Sequence, residues 1–128
     1  MTDRRLASVV SQMSDAIQKM RAFADGMTFE DYRQDAKSRF AMERCVEIIS
    51  EAARRMPMSI QKSYPDTPWD DIKGIGNILR HGYDAIDDRI IWGVLKRHLA
   101  HLEATLDLIA SEHGIALPSA TAETAPRR

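Results

Sequence analysis

Ala36-Lys37-Ser38-Arg39-Phe40-Ala41-Met42-Glu43-Arg44-Cys45-Val46-Glu47-Ile48-Ile49-Ser50-Glu51-Ala52-Ala53-Arg54-Arg55-Met56 is the stretch on which the fold turns. Asp35 ahead of it is a candidate N-cap, and neither Gly nor Pro interrupts it. Its apolar set is Phe40, Ala41, Met42, Cys45, Val46, Ile48, Ile49, Ala52, Ala53 and Met56. A stripe that wide exceeds what a helix touching one neighbour needs, so this helix belongs at the centre of a bundle.

Toward the N-terminus, Leu6, Val9, Val10, Met13, Ile17, Met20 and Phe23 recur at steps of three and four. They predict an amphipathic helix from about Arg4 to Asp25, capped by Thr2 or Asp3 and stopped by Gly26. Thr28 with Asp31 three residues on resembles a capping box, which predicts a short helix through Tyr32. Toward the C-terminus, Pro57, Pro65 and Pro68 bracket a connection with a helical turn around Ser59 to Tyr64. Thr67-Pro68-Trp69-Asp70 is a helix start with a capping hydroxyl, Pro at the first helical position and an acid behind it. That helix runs through Ile72, Ile75 and Leu79 toward Gly82. A last long helix starts near Asp87 or Asp88, carries Ile91, Val94, Leu95, Leu99, Leu102, Leu106 and Ile109, and ends at Gly114. No stretch alternates with period two and no hairpin turn signal occurs. The fold expected is all-α, an antiparallel bundle of four main helices plus short connecting turns. It forms one domain over residues 1–114, followed by an Ala-, Pro-, Ser- and Thr-rich disordered tail over 115–128.

The 128 residues suit a single domain, and 44% hydrophobic with 29% charged residues exclude general disorder. With 18 Lys and Arg against 19 Asp and Glu, the net charge of -1 gives no global attraction to polyphosphate. Contact with nucleic acid therefore has to come from a local site. The single cysteine, Cys45, lies inside an apolar stripe and reads as core rather than nucleophile. Apolar runs fall far short of the roughly 20 residues that cross a bilayer, and Met1-Thr2-Asp3-Arg4-Arg5 lacks the apolar core of a signal peptide. Together these predict a cytoplasmic protein with no membrane contact.

The chemistry concentrates in Gly76-Asn77-Ile78-Leu79-Arg80-His81-Gly82-Tyr83-Asp84. At about 100° per residue, Ile72, Ile75 and Leu79 share one helix face and His81 falls opposite, with Lys73, Asn77 and Arg80 on the flank between. On pattern alone such a patch is more often a solvated face with a chance His. The functional reading is a His beside cationic and amide donors, suited to acid–base work on a phosphodiester. Gly76, inside a predicted helix where Gly costs about 1 kcal/mol relative to Ala, reads as a close-packing position. Arg44 with Glu47 and Glu51 forms either a surface ion-pair ladder or an outside candidate for phosphate binding. His98 and His101 share a face, but nothing at metal-ligand spacing completes them, so no metal site is expected.

In this order and over about Arg4 to Leu108, the chain resembles the HepT-like branch of the HEPN superfamily, small helical proteins encoded beside minimal nucleotidyltransferases. The resemblance rests on Gly26-Met27-Thr28-Phe29, Val46-Glu47-Ile48-Ile49-Ser50-Glu51-Ala52-Ala53, Tyr64-Pro65-Asp66-Thr67-Pro68-Trp69-Asp70-Asp71-Ile72-Lys73-Gly74-Ile75, His81-Gly82-Tyr83 and Asp88-Arg89-Ile90-Ile91-Trp92. It implies a homodimeric, metal-independent and cofactor-free ribonuclease, the toxin of a toxin–antitoxin pair. The partner nucleotidyltransferase is the antitoxin, and silences the toxin by transferring AMP to a tyrosine. The family motif is an Arg, four to six residues, a His, one residue and a Tyr. His81 and Tyr83 match its end, whereas Gly76 stands where the Arg usually lies. Arg80 is then the substitute cation beside catalytic His81, Tyr83 the modified residue, and Lys73, Asn77 and Arg44 the candidate RNA contacts. The alternative, favoured by Gly76, is a dimeric binding module that pairs with the nucleotidyltransferase without cleaving RNA.

Overall fold

The computed structural model describes residues 3–81 and 88–117. Among them the chain is helical, in the order α1 (Arg4–Ala24), α2 (Phe29–Gln34), α3 (Ala36–Arg55), α4 (Met58–Ser63), α5 (Trp69–His81), α6 (Asp88–Gly93) and α7 (Leu99–His113). No strand occurs among the described residues, so the expected all-α bundle is the fold.

Local chemistry sets most boundaries. The Asp3 carboxylate accepts from the Arg5 N–H at 2.9 Å and caps α1. Gly26 takes a positive φ of 78° in the link to α2. There Thr28 and Asp31 close the capping box, each side chain 3.1 Å from the other residue's N–H. At the far end Gly114, φ 68°, ends α7 while the Ile115 N–H reaches back to the Ala110 carbonyl at 2.8 Å. Ile115 and Leu117 still pack against the core. The rest of the expected tail lies outside the described residues.

Helix α3 is central, as its wide stripe predicts: it packs on α1 along one face and α5 along another. Met42, Cys45, Val46, Ile49, Ala52 and Ala53 are buried, against Val10, Met13, Ile17 and Met20 of α1. Two residues of the expected stripes are not core. Phe40 is 66% exposed and Phe23 42%, because each sits where no described helix covers it.

The α3–α5 contact is polar at its centre. Buried Ser50 donates its hydroxyl to the Lys73 carbonyl at 2.9 Å and accepts the Gly76 N–H at 3.0 Å. Arg54 donates to the same Lys73 carbonyl at 3.0 Å. One hydroxyl of α3 thus splices into the backbone ladder of α5, and buried Gly76 is the close-packing position expected of it.

Two further expectations need correction. The Thr67 hydroxyl does not serve as a local cap: Thr67 is buried and its Oγ1 lies 2.7 Å from Thr105 Oγ1 on α7, which ties the start of α5 to the last helix. The expected last helix is not continuous either. A π-helical turn over Val94–His98 separates α6 from α7, with the Leu99 N–H donating to the Val94 carbonyl five residues back. Ile91 and Leu99, both fully buried, are eight residues apart, which in an α-helix leaves them about 80° out of phase. The slower winding of the π-turn brings both onto the core.

Helix α2 docks through aromatics. The Trp92 ring lies 5.2 Å from that of Tyr32 and 6.2 Å from that of Phe29, with Lys96 Nζ 5.2 Å from the Trp92 centroid. Tyr32 is completely buried, and its hydroxyl has no hydrogen-bond partner among the described residues. Burial, and then the charges of Asp88 and Glu43, push that hydroxyl's pKa up.

Two substitutions should therefore act in opposite directions. Ser50→Ala strands buried backbone groups of α5 and should lower unfolding free energy by about 1–3 kcal/mol, whereas Tyr32→Phe removes an orphan hydroxyl and should hold or raise it by about 1 kcal/mol. Urea unfolding of both variants beside the parent checks this. A loss of stability in Tyr32→Phe would place a partner for that hydroxyl outside the described residues.

Candidate functional site

Helix α5 carries the predicted constellation. Its N-terminus is fixed by the Thr67–Thr105 bond and by Trp69, whose indole N–H donates to the Tyr64 carbonyl at 3.0 Å. Its middle is held by Ser50. Ile72, Ile75 and Leu79 pack partly buried against the core, which confirms the apolar face assigned to them. Arg80 and His81 form the last turn of α5. Tyr83 lies outside the described residues, as does Gly82.

Lys73 and Asn77 stand one turn apart on α5. The Lys73 ammonium is 3.8 Å from the Asp70 carboxylate, and its side chain is mostly covered. Asn77 is exposed and has interactions of its own. Arg44 is not part of this group. It lies in a groove between α1 and α3, with Gln12, Glu51 and Arg55, and pairs with Glu47 at 2.8 Å. This is the surface ladder that the three-residue spacing allows, worth only about 0.3–0.5 kcal/mol.

Cys45 is buried and burial pushes its thiol pKa up, so it is a core residue and a poor nucleophile. Among the described residues no group of three or more His, Cys, Asp or Glu side chains is placed to hold a metal. No helix among them is long and apolar enough to cross a membrane.

One feature was not legible in the sequence. A cavity of about 410 Å3 opens between α3, the N-terminal half of α5 and the π-turn. His98 and His101, whose shared face was the only hint, line it together with Asp66 and Asp71. His101 Nε2 is 3.3 Å from Thr67 Oγ1, which ties two of the lining residues together. Residues 66, 71 and 97–98 are far apart in the chain and meet only around this cavity, and no local spacing records that.

Comparison with known proteins agrees with this architecture. The family model described as "Ribonuclease HepT-like" matches residues 13–109. A Thermococcus cleftensis chain named "Probable ribonuclease HepT" is 29% identical over 98 residues, covering 77% of this chain and 89% of that one. A Methanocaldococcus jannaschii chain named "Putative RNase MJ0127" is 31% identical over 90 residues, covering 70% and 71% respectively. No solved structure matches. The matched span runs from the middle of α1 into the second half of α7 and takes in the central α3, the α5 that ends at His81 and the π-turn; the chain belongs to the HepT-like ribonuclease family, within the HEPN superfamily.

Proposed function

We propose that this chain is a metal-independent endoribonuclease, the toxin of a toxin–antitoxin pair, acting in the cytoplasm as a two-fold dimer. The observation that carries the reading is the family match over residues 13–109, which includes α5 and its terminal His81. In the reaction the RNA 2′-oxygen bonds to its adjacent phosphorus, and the 5′-oxygen of the next nucleotide leaves. His81 takes the 2′-hydroxyl proton or returns one to the leaving oxygen, and a dimer supplies two such histidines about one cleft. Arg80 is the cation beside the phosphorane oxygens, since Gly76 occupies the position of the motif Arg. Lys73 and Asn77 supply donors for neighbouring phosphates.

The cognate nucleotidyltransferase silences the enzyme by placing AMP on Tyr83. An adenylate two residues from His81 adds a bulky anion that blocks the cleft and repels the RNA phosphate. A second reading, a dimeric binding module that no longer cleaves, is favoured by Gly76. Its N–H is bound to Ser50, and a residue there without a side chain offers no cation.

Cleavage of purified RNA by the chain alone separates the two. The parent should cut RNA, His81→Ala should not, and Arg80→Ala should cut about 100-fold more slowly, as for loss of a donor to a developing oxyanion. An inactive parent removes the catalytic reading and leaves the binding module. Full activity in Arg80→Ala moves the cationic role elsewhere. Coexpression with the neighbouring nucleotidyltransferase should add AMP mass on the Tyr83 peptide. Tyr83→Phe should fold and dimerise normally yet escape silencing, and modification at another residue would defeat the assignment.

A further inference from the structure

The cavity beside α5 has a composition that the proposed reaction does not use. Its apolar wall is aliphatic, with Val46 and Ile49 of α3 facing Ile75 of α5. Its rim is divided by charge: Asp66 and Asp71 stand on the α5 side, Arg97 and His98 on the π-turn side. None of these four side chains is in an ion pair with another described residue. At about 410 Å3 it falls within the usual range of small-ligand sites, roughly 300–1,000 Å3. Such a site suits a ligand with a flat apolar body, paired N–H donors at one end and an anion at the other.

We propose that this cavity is a guanine-nucleotide subsite, holding one guanosine unit of the RNA. This inference rests on the ribonuclease reading. The choice of base follows from hydrogen-bond inventory. An ionised carboxylate only accepts, and guanine alone presents a ring N–H and an amino group side by side to meet both carboxylate oxygens. Adenine and cytosine place a ring acceptor next to the amino group, and uracil sets one N–H between two carbonyls, so each turns a lone pair toward the carboxylate. The aliphatic walls cover the faces of the base. Across the rim the Arg97 guanidinium takes the phosphate through two parallel hydrogen bonds, with His98 beside it. Gly93 leaves room here, because the Arg97 guanidinium folds over the space where a Cβ at 93 would stand. From Ile75 to His81 the helix rises about 9 Å, so a guanosine in the cavity sets the scissile phosphate one or two nucleotides away.

The probes are the four nucleoside 5′-monophosphates, titrated by calorimetry into the parent protein, beside cleavage mapping on RNA of mixed sequence. GMP should bind saturably and at least 10-fold more tightly than AMP, CMP or UMP. Asp66→Asn combined with Asp71→Asn should abolish the preference, and Arg97→Gln should weaken all four nucleotides alike. All three positions are exposed, so folding is not at stake. Cleavage sites should cluster at a fixed distance from guanosine in the parent and spread in the double variant. RNA cleavage without GMP binding or guanosine bias overturns the subsite and leaves the ribonuclease standing. GMP binding by a parent that cuts no RNA keeps the subsite and removes the ribonuclease. Variants that change the oligomeric state and not nucleotide binding would make the cavity a joint between subunits, which also overturns it.

Discussion

Helix α3 has to bury two faces at once, and the polar bridge on the second face is what the placement of α5 depends on. Its α1 face is a conventional apolar seam that includes Met42, Cys45 and Ala52. Its α5 face is different: Ser50 both donates to and accepts from the α5 backbone, and Arg54 adds a second donor to the same carbonyl. Apolar packing resists a slide of one helix along another through shape alone. A buried hydroxyl with one donor and one acceptor bond adds a directional constraint, since a shift of one residue leaves buried backbone groups without partners. The register of α5 against the core, and so the position of its last turn, is set by that hydroxyl.

The same logic separates what the sequence made legible from what it did not. Asp3, the Thr28–Asp31 box, Gly26 and Gly114 were readable because each acts on backbone within a few residues. The width of the α3 stripe was readable because burial on two sides needs apolar residues on two sides. Phe23 and Phe40 were misassigned because periodicity reports which residues could be buried and burial needs a neighbour to cover them. Thr67 has a helix-capping residue's chemistry, yet its partner is Thr105, 38 residues away, and no local rule weighs that competition. The π-turn escaped for the opposite reason: Ile91 to Leu99 looks like continuous helical spacing, and the phase error accumulates over two turns before the core corrects it.

At the candidate site, the helix that ends at His81 was legible, as was the apolar face on its other side. The family motif named Tyr83 without any geometry. Arg44, by contrast, was a candidate RNA contact and is occupied with Glu47 in a groove on the α1 side of the central helix. Cation count along a helix is a poor guide to a site, because an i,i+3 carboxylate is always the nearest competitor.

The π-turn joins these observations. An insertion of one residue's worth of backbone into a helix costs hydrogen-bond geometry, and such turns persist where something else compensates. Here the compensation is packing, because Ile91 and Leu99 reach the core together only through it. The same turn contributes Val94, Arg97 and His98 to the lining of the cavity that α3 and α5 also line. One helix then carries both ends of the proposed RNA path, a base subsite at its first turns and His81 at its last. The spacing between them is the rise of α5 itself. A rigid rod clipped to the core by Ser50 therefore sets the distance from recognised base to broken bond, and no loop has to move to define it.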